Sequence, residues 1–338
     1  MNKSLFLYVV AAMLLIMSSC NKDENNNDTN PTYNPTPYTL NIPSNLPAMN
    51  IPADNPLTVE GIELGRLLYY DSLLDQNQAR ACGGCHLQAN GFTTLGTNVI
   101  PHINLGYQNK FLWNGSVQGT LEDAMFFEVK DFFKADLSKL QADSKYPDKF
   151  YKAFGSSTVT YENCAKAMAQ FLRTMVSGNS KFDRYVRHEE NFTADETEGF
   201  MIFYTEKGDC FHCHTVSIMT DGQLHNNGLD SVFIGVNAGY YNVSGNPADL
   251  GKFKSPSLRN CGMRTTFMHD SRYTSLEDVI EFYNSGTKHS PSLDPIMTKP
   301  GKEYGLQLTP YDKQCLKAFL LTLTDTTYIN NPAFSNPF

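Results

Sequence analysis

Cys210-Phe211-His212-Cys213-His214 sets two thiols two residues apart and a histidine directly after the second. The same five-residue pattern stands far upstream as Cys82-Gly83-Gly84-Cys85-His86. Three chemistries use closely spaced thiols. Tetrahedral zinc needs four ligands, and Cys82, Cys85 and His86 are too tightly clustered to close a tetrahedron alone; no second Cys/His pair sits near either copy at finger spacing. A thioredoxin-like redox pair has no use for the trailing histidine, still less for two of them. The remaining chemistry is covalent attachment of haem. Two thiols on one short turn reach the two vinyl groups of a porphyrin, and the adjacent histidine meets the iron from the same side. The pattern therefore predicts two haem c groups, held by Cys82, Cys85 and His86 and by Cys210, Cys213 and His214. His212 lies between its cysteines and is not expected to be a ligand.

The chain start agrees with this chemistry, which takes place outside the cytoplasm. Lys3 precedes an apolar run from Leu5 to Met17, too short to cross a membrane, which takes roughly 20 residues. Small residues lead to Cys20 in Met17-Ser18-Ser19-Cys20, the form of a bacterial lipoprotein cleavage site. Residues 1–20 read as a signal peptide, with Cys20 becoming the lipidated N-terminus. Ordinary secretion, with Cys20 discarded, is the alternative. Both put the chain in the cell envelope, and lipidation puts it on a membrane, at the periplasmic or outer-membrane face. Residues 21–50 are rich in Asn, Pro and Thr and read as a flexible tether. Of the 338 residues, 41% are hydrophobic and 18% charged, ordinary for a globular chain of about two domains. The net charge of −8 argues against nucleic acid, whose phosphates call for excess Lys and Arg.

The other cysteines carry no such pattern. Cys164 falls on one helix face with Tyr161, Ala165, Met168, Phe171, Leu172 and Met175 and reads as a small core residue. Cys315 shares a similar face with Tyr311, Leu316, Phe319, Leu320 and Leu323. Cys261 is in a loop, and a Cys261–Cys315 or Cys164–Cys315 disulfide stays open.

A short helix precedes each CxxCH: Glu63–Tyr70 before the first, and Glu198–Tyr204, opened by a capping box Thr193/Glu196, before the second. No strand-rich region stands out. The expected fold is mainly α, with two cytochrome c-like domains over 51–180 and 181–338. In the second half, Arg272 to Gly286 reads as a helix with Thr274/Glu277 as its capping box. Leu276, Val279, Ile280 and Tyr283 share a face, so Tyr283 points inward, either as a core tyrosine or as a phenolate for iron.

At this point the residues resemble a known family, the bacterial di-haem cytochrome c peroxidases and MauG. The matching pieces run in order from Glu63-Leu64-Gly65-Arg66-Leu67-Leu68-Tyr69-Tyr70 through CGGCH, Gly91-Phe92-Thr93, Ile103-Asn104-Leu105-Gly106-Tyr107, Phe111-Leu112-Trp113-Asn114-Gly115, Leu121-Glu122-Asp123 and CFHCH. They continue through Lys254-Ser255-Pro256-Ser257-Leu258-Arg259-Asn260 and Met268-His269-Asp270 to the Tyr283 helix. The resemblance implies that Tyr283 is the distal ligand of an electron-transfer haem, where peroxidases usually carry Met and MauG-like members Tyr. It implies that hydrogen peroxide binds at the first haem with Glu128 as the catalytic carboxylate, a role for which Asp123 and Asp131 are the substitutes. The apolar setting of Glu128 is expected to raise its pKa. Trp113 falls where the family relays electrons between haems, and Asn98 on the asparagine of an interdomain calcium site. Ala124, Asn114 and Ser116 depart from the family, where Gln, Asp and Arg are usual. The distal-histidine loop is short here. His102, the one histidine nearby, falls on an ordinary apolar position, so the first haem is expected to be five-coordinate.

The function implied is a peroxidase fed by a small cytochrome or cupredoxin. A MauG-type enzyme that oxidises residues of a partner protein is the alternative, and a plain electron-transfer cytochrome is the non-enzymatic one.

Overall fold

The structure is a computed structural model that describes residues 33–94, 96, 99–303 and 305–338. The signal peptide, Cys20 and Asn98 lie outside the described residues. The described chain is mainly helical. Its strands are two-residue pairs: β1 (Lys110–Phe111) with β2 (Val117–Gln118) and β3 (Leu224–His225) with β4 (Phe253–Lys254), both antiparallel. Lys110 faces Gln118 in the first pair and Leu224 faces Lys254 in the second.

Seven helices carry the framework: α1 (Val59–Tyr70), α2 (Leu121–Phe127), α3 (Tyr146–Phe154), α4 (Tyr161–Thr174), α5 (Ala194–Phe203), α6 (Leu276–Glu281) and α7 (Pro310–Leu321). Their starts are written in the sequence. Thr120 with Asp123, Thr193 with Glu196, Ser275 with Asp278 and Thr309 with Asp312 each form a capping box, satisfying two of the amides a helix start leaves unpaired. For α6 this corrects the expected pair by one position: Ser275 and Asp278 make the box, not Thr274 and Glu277.

Two apolar cores form. One gathers residues between Leu64 and Met175 around α1, α2, α3 and α4, and the other residues between Phe182 and Leu323 around α5, α6 and α7. Each is organised by one close helix crossing, and the two crossings are alike. A Cβ on Gly65 of α1 would stand 2.0 Å from the Ala167 carbonyl oxygen of α4. A Cβ on Gly199 of α5 would stand 1.9 Å from the Cys315 carbonyl oxygen of α7. Only glycine lets these backbones touch.

Three further expectations change. Residues 33–50, read as part of the tether, lie along the fold: Tyr33 donates to the Ala153 carbonyl at 3.2 Å, Asn45 donates to Asp183 at 2.6 Å, and Leu46 and Met49 are buried. Their few apolar residues give no periodic signal; Leu46 and Met49 find slots, while Tyr33 and Tyr38 stay exposed. Tyr311 leaves the expected core face of α7 and donates to Asp195 on the surface. The segment after α7 does not stay with the second core; Tyr328, Ile329 and Phe334 pack into the first. Cys164, Cys261 and Cys315 are buried free thiols.

Candidate functional site: two cysteine–histidine turns and their facing side chains

Each CxxCH forms a tight turn, with the histidine amide donating to the carbonyl of the first cysteine, 2.8 Å for His86 to Cys82 and 3.0 Å for His214 to Cys210. Each histidine then fixes its ring through Nδ1–H. His86 donates to the Phe92 carbonyl and His214 to the Met219 carbonyl, both at 3.1 Å. The two acceptors sit in the left-handed region, Phe92 at φ 61° and Met219 at φ 56°, a conformation rare for large side chains that turns the carbonyl back on the imidazole. Desolvation lowers both imidazoles to about 4, so both are neutral with Nε2 free to bind a metal.

Beside His214 lies a cavity of about 220 Å³ whose wall includes Cys210, Cys213, Trp113, Met268 and Tyr283. Tyr283 follows α6 on a π-helical turn, Phe282–Gly286. The extra residue in such a turn breaks the 3.6 period, and π turns recur at functional positions. Burial pushes the Tyr283 phenol up to about 12, against the Asn227 amide, which donates to its oxygen at 3.1 Å. The wall also carries cations. Lys254 is 5% exposed, and its ammonium donates to Gln108 Oε1 at 2.7 Å; desolvation lowers it to about 8. His225 donates from both ring nitrogens, to Asp221 at 2.7 Å and Asp294 at 2.6 Å. Desolvation works against its charge, but those two carboxylates raise it to about 12 and keep it cationic. A largely apolar chamber with two thiols, a neutral imidazole, a facing phenol and the buried Lys254 ammonium fits a haem.

The first half repeats the second in outline. Thr120 caps α2, and eight positions on, at the start of the π-helical turn Glu128–Phe132, stands Glu128. Ser275 caps α6, and eight positions on stands Tyr283. The two side chains thus hold the same place relative to their own helix start. Burial raises the Glu128 carboxyl to about 7, with Arg80 pulling the other way. The field of Glu128 reaches the buried Cys82 thiol. The substitutes are placed differently: Asp123 is spent in the capping box of α2, and Asp131 is exposed.

His102 is not set across from His86. The two rings stack face to face, centroids 3.4 Å apart and planes 15° apart. Two ligands on opposite sides of one iron cannot stack on each other. His212 stays clear of the cavity wall and sits beside Glu206, Asp209 and Lys299 on the surface. Trp113 belongs to the wall of the cavity beside His214, and its carbonyl accepts from the Lys254 amide at 2.8 Å. Asn114 Oδ1 accepts from the Ser116 amide at 3.2 Å, and Ala124 is buried. Asn227, Lys254, Met268 and Tyr69 were not singled out from the sequence. Laying the two halves over each other at their glycines is the signal that finds Tyr69.

Comparison with known proteins decides the family. The pattern of the di-haem cytochrome c peroxidase family matches residues 59–191. The cytochrome-c peroxidase IdrP1 of Pseudomonas sp. (strain SCT) is 30% identical over 327 residues, covering 82% of this chain and 84% of that protein. The chain belongs to the di-haem cytochrome c peroxidase and MauG family. The methylamine utilization protein MauG of Methylorubrum extorquens is 31% identical over 303 residues, covering 80% of each chain. Among solved structures, a MauG-like protein associated with microbial copper homeostasis aligns with a TM-score of 0.80 at 28% identity, over 89% of this chain and 99% of that one. Membership implies haem c cofactors and an oxidoreductase. Both peroxidases and MauG proteins stand among the relatives, so membership alone leaves the reaction open.

Proposed function

We propose that this chain is a di-haem c enzyme that reduces hydrogen peroxide to water with electrons from a small cytochrome or cupredoxin. Residues 51–180 and 181–338 would each hold one haem as cytochrome c-like domains, the first through Cys82, Cys85 and His86, the second through Cys210, Cys213 and His214. The haems supply the iron that binds peroxide and the store of electrons that reduces it. The observation that carries the reading is the shared position of Glu128 and Tyr283, eight residues beyond their capping residues. Where the second half offers a phenol able to close an iron, the first offers a carboxyl raised to about 7 and so able to exchange a proton.

Glu128 then serves as the acid–base group. It takes the proton from the proximal peroxide oxygen and delivers it to the leaving one, work worth about 10²–10⁴ in rate for a positioned residue. With its carboxyl raised to about 7 it exchanges a proton readily near neutral pH. Tyr283 would occupy the second iron as phenolate, steadied by the Asn227 amide. Trp113, tied to β4 through Lys254, is the proposed relay between the halves. Asn98 would contribute to a calcium ion between them. Among the described residues no helix is long and apolar enough to cross a membrane. Membrane association would come through lipidated Cys20, in the cell envelope.

The alternative is a MauG-type enzyme that oxidises residues of a partner protein. Tyr283 favours it, since the resemblance ties tyrosine at this place to MauG-like members. Low-temperature EPR of the oxidised protein is the first test. One high-spin and one low-spin signal are expected, and Tyr283→Phe should convert the low-spin one. Two low-spin signals in the unsubstituted protein would overturn an open first haem. Turnover with a reduced small cytochrome, against slow modification of a protein substrate, then separates the two enzymes.

A further inference from the structure

The two halves differ at one pair of positions that their common plan makes directly comparable. The backbone amide of His102 donates to the Phe92 carbonyl at 3.2 Å, and that of Leu258 to the Met219 carbonyl at 3.1 Å. Those are the carbonyls that hold His86 and His214. His102 is therefore the counterpart of Leu258. Tyr69 stands four residues after Gly65 on α1, and Phe203 four after Gly199 on α5. Tyr69 is thus the counterpart of Phe203. Around His214 both places are apolar, and Leu258 and Phe203 simply line the cavity. Around His86 both are polar and joined: the Tyr69 hydroxyl lies 3.1 Å from His102 Nδ1. Tyr69 is fully buried, its ring edge-on to Tyr70 and Phe171. His102 in turn stacks on His86, and Tyr328 donates to its carbonyl.

An apolar pair would pack this wall equally well, as the second half demonstrates. A phenol hydrogen-bonded to an imidazole adds something packing does not need: a proton acceptor in place for a redox-active ring. We infer that Tyr69 is a redox-active tyrosine that passes an electron to the first haem through His102 and His86. The inference rests on the reading that peroxide oxidises that haem. In the step, the haem, oxidised by peroxide, gains one electron. Tyr69 loses that electron from its ring and loses its hydroxyl proton. The O–H bond breaks as the proton moves to His102 Nδ1, leaving a neutral tyrosyl radical and a cationic imidazole. Burial keeps the radical from solvent, so one oxidising equivalent is held on the protein.

The test uses the full di-haem protein. Peroxide is added to the ferric form without donor, the mixture is frozen within milliseconds, and EPR is recorded with ordinary and ring-deuterated tyrosine. A radical signal that narrows on deuteration is expected. It should vanish in Tyr69→Phe and fall at least about tenfold in yield or lifetime in His102→Leu. Both substitutions copy residues of the second half, and equal haem content with an unchanged resting spectrum checks that each variant folds. A tyrosyl signal that survives intact in Tyr69→Phe overturns the inference, as does its absence when the haem is visibly oxidised. If peroxide leaves the first haem unchanged, the peroxide reading fails instead. A photogenerated ruthenium(III) oxidant then addresses Tyr69 directly, and the same loss in Tyr69→Phe decides the matter.

Discussion

A carboxylate that is to take a proton from peroxide must first have given up its own. Burial holds the Glu128 carboxyl near 7, so the first-haem reaction with peroxide is expected to climb as pH rises through about 7 and to level off above. Stopped-flow traces across that range should show this. Glu128→Gln should flatten the profile and slow the reaction by about 10²–10⁴. The same shift has a sign for stability. A carboxyl raised in the fold from 4.5 to about 7 binds its proton more tightly folded than unfolded. The fold thus loses stability as pH rises across that window, by about 3 kcal/mol in all. The Gln variant is expected to melt higher than the parent at about pH 8 and no higher at about pH 4, which calorimetry can check. Arg259 and Asp183 are the opposite case. Both side chains are fully buried, and they pair at 2.8 Å. Arg259→Leu strands the aspartate and should cost about 3–5 kcal/mol in urea unfolding, and Asp183→Asn in the same chain should return part of it.

Among elements, the two glycine crossings set the cores. Gly199→Ala drives a methyl into the Cys315 carbonyl, and Gly65→Ala into that of Ala167. Each should cost at least about 1–3 kcal/mol, since a backbone, unlike a side chain, has nowhere to turn. Thermal unfolding of the two single variants would show it. The helices around those glycines were legible in part because caps and apolar spacing are local: Thr193 announced α5 and apolar faces marked α4 and α7, whereas the caps Thr58, Thr160 and Thr309 went unread. The two CxxCH turns were legible for the same reason, five residues in a row. Tyr283 was read as inward from a 3.6 period; it lines the cavity, half-buried, on a π turn that the period does not describe. Lys254 gave no signal, since an ammionium's burial depends on Gln108, distant in sequence. The slots filled by residues 33–50 were equally hidden, because single apolar contacts leave no pattern. His102 was visible only as an oddity; its stacking on His86 needed the fold.

For the whole molecule, the telling contacts are those that join distant parts of the chain. Arg66 of α1 donates to the Ser335 carbonyl at 2.7 Å, Tyr70 donates to the Phe334 carbonyl at 2.7 Å, and Tyr328 closes over His102. Deleting residues 328–338 should leave the second core intact and loosen the first. The expected result is a biphasic melt, with the first haem's absorbance changing well before the second's. A single unaltered transition would contradict it. The return of this segment also sets a timetable. The ribosome delivers residues 59–175 early and residues 328–334 long after, and loops of that span close late. The half made first is therefore the half finished last. Until residues 328–334 close on the first core, the Cys82–Cys85 turn is expected to be more accessible than in the finished fold, which leaves a window after export for any group that must be fastened there.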